Sequence, residues 1–165
     1  MFRTDEDRLE WMLLFDDVVD RHAWLDLFYV QLETHYHVLV EVPDDTLARG
    51  MHRLNGGMAR AFNRRHGRSG DLVAGRYGAK RVDDELYLLT LVPYLALNPE
   101  RAGLCRRAED WRWTNYGRVL AAPEARLTAG DRRLLEPFGG DRATAVARLR
   151  ALVADARSEP RPPIA

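Results

Sequence analysis

An α+β domain is what this sequence predicts, and three observations predict it. Two neighbouring runs, Trp24 to Leu32 and Glu33 to Val42, are rich in aliphatic, aromatic and β-branched residues and read as paired strands. Stretches of helical periodicity flank them, from about Asp5 to Arg21 and from Thr46 to about His66, and a third follows from Asp83 or Asp84 to about Asn98. At 165 residues, 46% hydrophobic and 30% charged, the chain has the size and composition of an ordinary globular domain with a respectable core.

Each element has its own signal. In the first helix acids lead, and Leu9, Met12, Leu13 and Val19 are placed on a common face. In the second extended run Pro43-Asp44-Asp45 supplies the stop. The Thr46–His66 helix puts Leu47, Met51, Leu54, Met58 and Phe62 on one side and Arg49, Arg53, Arg60 and Arg64 in a stripe on the other, with Gly56-Gly57 as a weak point. A turn over Gly67 to Gly70 leads into a Gly-interrupted extended segment, Asp71 to Val82. Pro99 is expected to end the third helix, and Trp111, Trp113 and Tyr116 to dock a short helix onto the core. Two helical patterns between Thr128 and Asp155 are split by Gly139-Gly140, and three prolines mark Ser158 to Ala165 as a disordered tail. The expected organisation is therefore a main domain over 1–122, a helical extension over 123–157 and a tail over 158–165.

Composition excludes several classes. The single Cys105 rules out an internal disulfide and a cysteine-rich zinc site, and suits a reducing cytoplasm. No apolar run reaches membrane-spanning length, and Met1-Phe2-Arg3-Thr4-Asp5 is unlike a signal peptide. The net charge is zero, but it is unevenly spread: Arg49 to Arg81 holds nine basic residues and one acid, Asp71. Such an island is the electrostatic footprint of a nucleic-acid partner.

Two patterns carry chemistry. Side chains alternate along a strand, so His35 and His37 project to one side and form a natural pair of ligands for a divalent metal. On the third helix Tyr87, Leu91, Tyr94 and Asn98 fall along one line, which places Tyr94 and Asn98 one turn apart. An isolated phenol has a pKa of about 10 and is a poor nucleophile; it becomes competent as a phenolate facing a metal-polarised phosphorus. Plainer readings stand beside these: two solvated surface histidines, a packing tyrosine, and an asparagine that caps a helix before Pro99.

The motifs His35-Tyr36-His37, Leu54-Asn55-Gly56, Phe62 to Gly70, Gly75-Arg76-Tyr77, Tyr94 to Leu104 and Trp111-Arg112-Trp113-Thr114-Asn115-Tyr116 occur in that order. The series resembles the transposases of the HUH (histidine–hydrophobe–histidine) single-strand endonucleases, above all the tyrosine transposases associated with repetitive extragenic palindromes. The resemblance covers about residues 2 to 120. It implies a ferredoxin-like antiparallel sheet with helices on one face, followed here by the helical extension. It implies Mg²⁺ or Mn²⁺ held by His35 and His37, with Asn98 completing the ligand set, and Tyr94 as nucleophile. The implied reaction is cleavage of single-stranded or hairpin DNA through a 5′-phosphotyrosine intermediate. DNA contacts are expected from Arg49, Arg53, Arg60, Arg64, Arg65, Arg76, Tyr77 and Lys80.

Three departures from the family pattern bear on activity. The segment that supplies the family's first strand is missing ahead of Phe2, so the domain is expected to be truncated, and marginal or rescued by a homodimer. Pro93 stands before the nucleophile where Arg is usual, and Asp71 stands where His is usual. Three readings follow: an active nickase and transposase, a hairpin-binding remnant that no longer cleaves, and a small His-ligated metal protein with no DNA role.

Overall fold

A computed structural model describes residues 1–158 except Asp44, Ala74 and Arg76. Among the described residues it holds six α-helices and one two-stranded antiparallel sheet, an α+β chain. The helices are α1 (Asp5–His22), α2 (Leu47–His66), α3 (Glu85–Arg101), α4 (Tyr116–Ala121), α5 (Ala129–Leu135) and α6 (Arg142–Asp155). The strands are β1 (Leu25–Gln31) and β2 (Tyr36–Glu41). The chain forms two compact units. One comprises Met1–Leu25, Glu33–His35 and Val40–Lys80; the other comprises Asp26–Leu32, Tyr36–Leu39 and the chain from Arg81 onward.

The first unit is a helical pair. Thr4 caps α1 in a reciprocal capping box: its hydroxyl accepts from the Asp7 N–H while the Asp7 carboxylate accepts from the Thr4 N–H at 3.2 Å. The buried face of α1 is Trp11, Phe15 and Val18 together with Asp7 and Arg8, not the expected Leu9, Met12 and Leu13 face; Leu9 and Leu13 are exposed. Aromatic area explains the choice, because Trp11 and Phe15 stack with centroids 4.9 Å apart and each removes far more surface from water than a leucine.

Helix α2 runs unbroken through Gly56-Gly57. A methyl group on Gly57 would meet Leu14 Cδ2 at 2.9 Å, and one on Gly50 would meet the Trp24 ring at 2.2 Å. These two glycines therefore admit neighbouring side chains against the helix backbone. The Trp24 indole N–H donates to Thr46 Oγ1 at 2.9 Å, which satisfies the polar edge of a ring only 4% exposed. The expected extended segment after Gly70 contains no strand among the described residues of 71–82.

In the second unit the outer edge of β1 is closed by a segment some 85 residues away. Gln31 N–H donates to Trp113 C=O at 2.9 Å, and the Trp111 indole N–H donates to Gln31 C=O at 2.8 Å. Asn115 serves two backbone groups on this same edge, accepting from Tyr29 N–H at 3.1 Å and donating to Leu27 C=O at 3.0 Å. Thr114 Oγ1 donates to Tyr29 C=O at 2.7 Å. The Trp111-to-Asn115 motif thus does more than dock α4: it serves as a pseudo-strand that satisfies an edge the two-strand sheet would leave open.

Asp84 caps α3, accepting from Tyr87 N–H at 2.6 Å. The helix does not stop at Pro99; it contains both Pro93 and Pro99 and continues to Arg101. Gly103, at φ +72°, turns the chain out of the helix, while Ala102 and Leu104 N–H groups return to Asn98 and Pro99 carbonyls. Every residue from Val92 to Pro99 is buried, so this half of α3 is enclosed on all sides. Helices α5 and α6 flank Gly139-Gly140 as expected, and both belong to this second unit. Of the expected tail, residues 159–165 lie outside the described residues.

Candidate functional site

In the second unit, β2 and α3 bring three of the expected site residues together. His37 is half-buried on β2, and its ring meets Tyr94 edge-on with centroids 6.1 Å apart. Tyr94 is 6% exposed and Asn98 7% exposed. The Asn98 Nδ2 donates to the Tyr94 carbonyl at 3.0 Å, one helical turn back. That bond orients the side-chain amide and makes Oδ1 its remaining acceptor. Helical spacing alone supplies the Tyr94–Asn98 pair; the approach of His37 is tertiary.

His35 sits one residue ahead of β2 and belongs to the first unit. It is exposed, with Nδ1 3.0 Å from Thr34 Oγ1. Among the described residues no three His, Cys, Asp or Glu side chains cluster to hold a metal. His37 and Asn98, one of each donor type expected at the metal site, belong to the second unit.

The expected nucleic-acid residues divide by their surroundings. Arg49, Arg60 and Arg64 are exposed along α2 with no carboxylate partner among the described residues. Arg53 is not free: its Nε lies 2.5 Å from Asp17 of α1, which also pairs with Arg21. Arg65 pairs with Asp7 at 2.7 Å and with Glu10 at 3.3 Å. Tyr77 is half-buried, Lys80 is exposed, and Arg76 lies outside the described residues. A count within one window of sequence missed the acids that α1 packs against α2. Their signal was present: Asp7, Glu10 and Asp17 recur at helical spacing on one face.

Asp7 is the centre of this network. Its carboxylate is fully buried and takes hydrogen bonds from Arg3 N–H (2.9 Å), Thr4 N–H, Arg65 and His66 Nε2 (2.9 Å). An ionised carboxylate only accepts, so His66 carries its proton on Nε2 in this contact. Burial opposes ionisation of Asp7, but the Arg3 backbone N–H, His66 and Arg65 outweigh it and hold the carboxyl below its ordinary pKa. Comparison with family models, with curated proteins and with solved structures finds no match.

Proposed function

We propose that the chain is a transposase-like, tyrosine-dependent endonuclease of single-stranded or hairpin DNA, built on a ferredoxin-like fold. The observation that carries this is the approach of the His37 ring on β2 to the Tyr94 ring on α3, with Asn98 bonded to the Tyr94 backbone carbonyl. Phosphoryl transfer by a phenol requires a metal-ligating side chain close to the nucleophile, and the His37–Tyr94 contact is consistent with that requirement. The order α1, β1, β2, α2 supports the ferredoxin-like reading, since it follows that fold's helix–strand–strand–helix core.

In this reading His37 on β2 would hold Mg²⁺ or Mn²⁺, with the Asn98 oxygen of the same unit as a further protein donor. The bound ion supplies charge neutralisation at the phosphate and the departing oxygen. Tyr94 loses its phenolic proton and its oxygen attacks phosphorus. The P–O3′ bond breaks, leaving a 5′-phosphotyrosine and a 3′-hydroxyl that can reverse the step on another end. Arg49, Arg60 and Arg64 position the strand by its phosphates, with Tyr77 as a stacking surface and Lys80, Arg53, Arg65 and Arg76 as further contacts.

A hairpin binder that no longer cleaves is the second reading, and the burial of Tyr94 favours it. One experiment separates the two. Incubated with hairpin DNA and Mn²⁺, the protein is expected to form a covalent adduct that survives denaturation and is lost in Tyr94→Phe. Binding without any adduct selects the second reading. Neither binding nor adduct refutes both.

A further inference from the structure

We infer that Arg3 and Arg68, both laid on the ring of Phe62, form a binding site for phosphate oxyanions in the first unit. The Arg3 guanidinium carbon lies 5.4 Å from the Phe62 ring centroid and that of Arg68 lies 5.7 Å from it. Phe62 is 1% exposed, while both arginines are exposed. A guanidinium in a cation–π contact keeps N–H donors that the ring does not use. They remain for an anion, in a fork that matches two phosphate oxygens.

Both arginines grow from pinned backbone. Arg3 stands just before the α1 cap, with its N–H held by Asp7 at 2.9 Å. Arg68 follows the α2 C-cap Gly67, at φ +60°, and its N–H donates to Asn63 C=O at 2.9 Å. The Asn63 side chain then donates to Gly70 C=O at 2.7 Å and closes the loop around Arg68. Preorganisation of this kind lowers the ordering cost of binding.

Charge points the same way. Two cations share one ring, and neither guanidinium has a carboxylate partner among the described residues. The buried carboxylate in this network, Asp7, is already taken by the Arg3 and Thr4 N–H groups, Arg65 and His66, and Glu10 pairs with Arg65. An anion of two or more charges would relieve the repulsion between Arg3 and Arg68. The site goes beyond the proposed function, which assigns neither arginine, and it stands on its own geometry.

The test titrates the full chain with sodium tripolyphosphate, and separately with a mixed-sequence single-stranded oligonucleotide across a salt series. Arg3→Gln and Arg68→Gln are compared with the parent protein. Tripolyphosphate is expected to bind saturably, to shift the amide resonances of residues 67–70, and to weaken about tenfold in either variant. If the oligonucleotide's log–log salt slope also falls by about 0.7 per arginine, the phosphates belong to a polynucleotide backbone. If only the tripolyphosphate affinity falls, the site takes a free phosphate compound. Should the protein bind neither this oligonucleotide nor hairpin DNA, the nuclease reading fails while the tripolyphosphate result still decides the site. Unsaturable binding, or binding that both variants retain in full, overturns it.

Discussion

Asp7 shows how one residue ties sequence to stability. It is a capping-box carboxylate by local spacing and the hub of four donors by tertiary packing. Its pKa is depressed in the fold, so its contribution is present above the ordinary aspartate value and is lost as pH falls through the folded value. Unfolding free energy is therefore expected to decline as pH drops from about 4 downward. In Asp7→Asn that part of the decline is absent, and at neutral pH the variant is less stable by roughly 1.5–3 kcal/mol, the scale of hydrogen bonds to a charged group. Urea unfolding of both proteins at several pH values measures this, and parallel acid profiles would refute it. Other contacts at this scale have clear local causes. Tyr116 is buried, and that burial first, with the charge of Glu109 second, pushes its phenol up to about 12.

Among the elements, β1 and α2 yield the sharpest expectations. The β1 edge depends on Asn115, which is fully buried and serves Tyr29 N–H and Leu27 C=O. Asn115→Ala leaves both backbone groups without that partner and should cost roughly 2–4 kcal/mol. Faster amide exchange at Tyr29 is the specific readout; unchanged exchange would show that the edge is covered some other way. On α2 the glycines separate by what surrounds them. A methyl on Gly56 meets only the flexible end of Arg60, at 3.3 Å, so Gly56→Ala should stabilise by about 0.5–1 kcal/mol through helix propensity. Gly50→Ala collides with the Trp24 ring and should destabilise instead. Opposite shifts in melting temperature are expected for these two variants, and shifts of the same sign would contradict the packing argument.

Over the whole molecule, net charge is zero while α2 displays Arg49, Arg60 and Arg64 on its surface. If these contact DNA phosphates, removing Arg49 and Arg60 together should lower the log–log salt slope for single strands by about 0.7 each. Arg53→Gln should change the slope less, because Asp17 already answers its charge. Equal effects at Arg53 and Arg60 would show that these ion pairs open on binding. What the sequence determined by itself was local order: the Asp84 cap, the two strand regions, the helical patterns of α1, α2 and α3 and the break at Gly139-Gly140. These depend on neighbours within a turn or a pleat, so spacing and residue type suffice to read them. Only the tertiary structure decided which face of α1 is buried, which arginines meet acids, what closes the β1 edge and that the His37 ring meets Tyr94. Each of those outcomes pairs groups that lie tens of residues apart, and a one-dimensional pattern carries no record of which distant partner packing will choose.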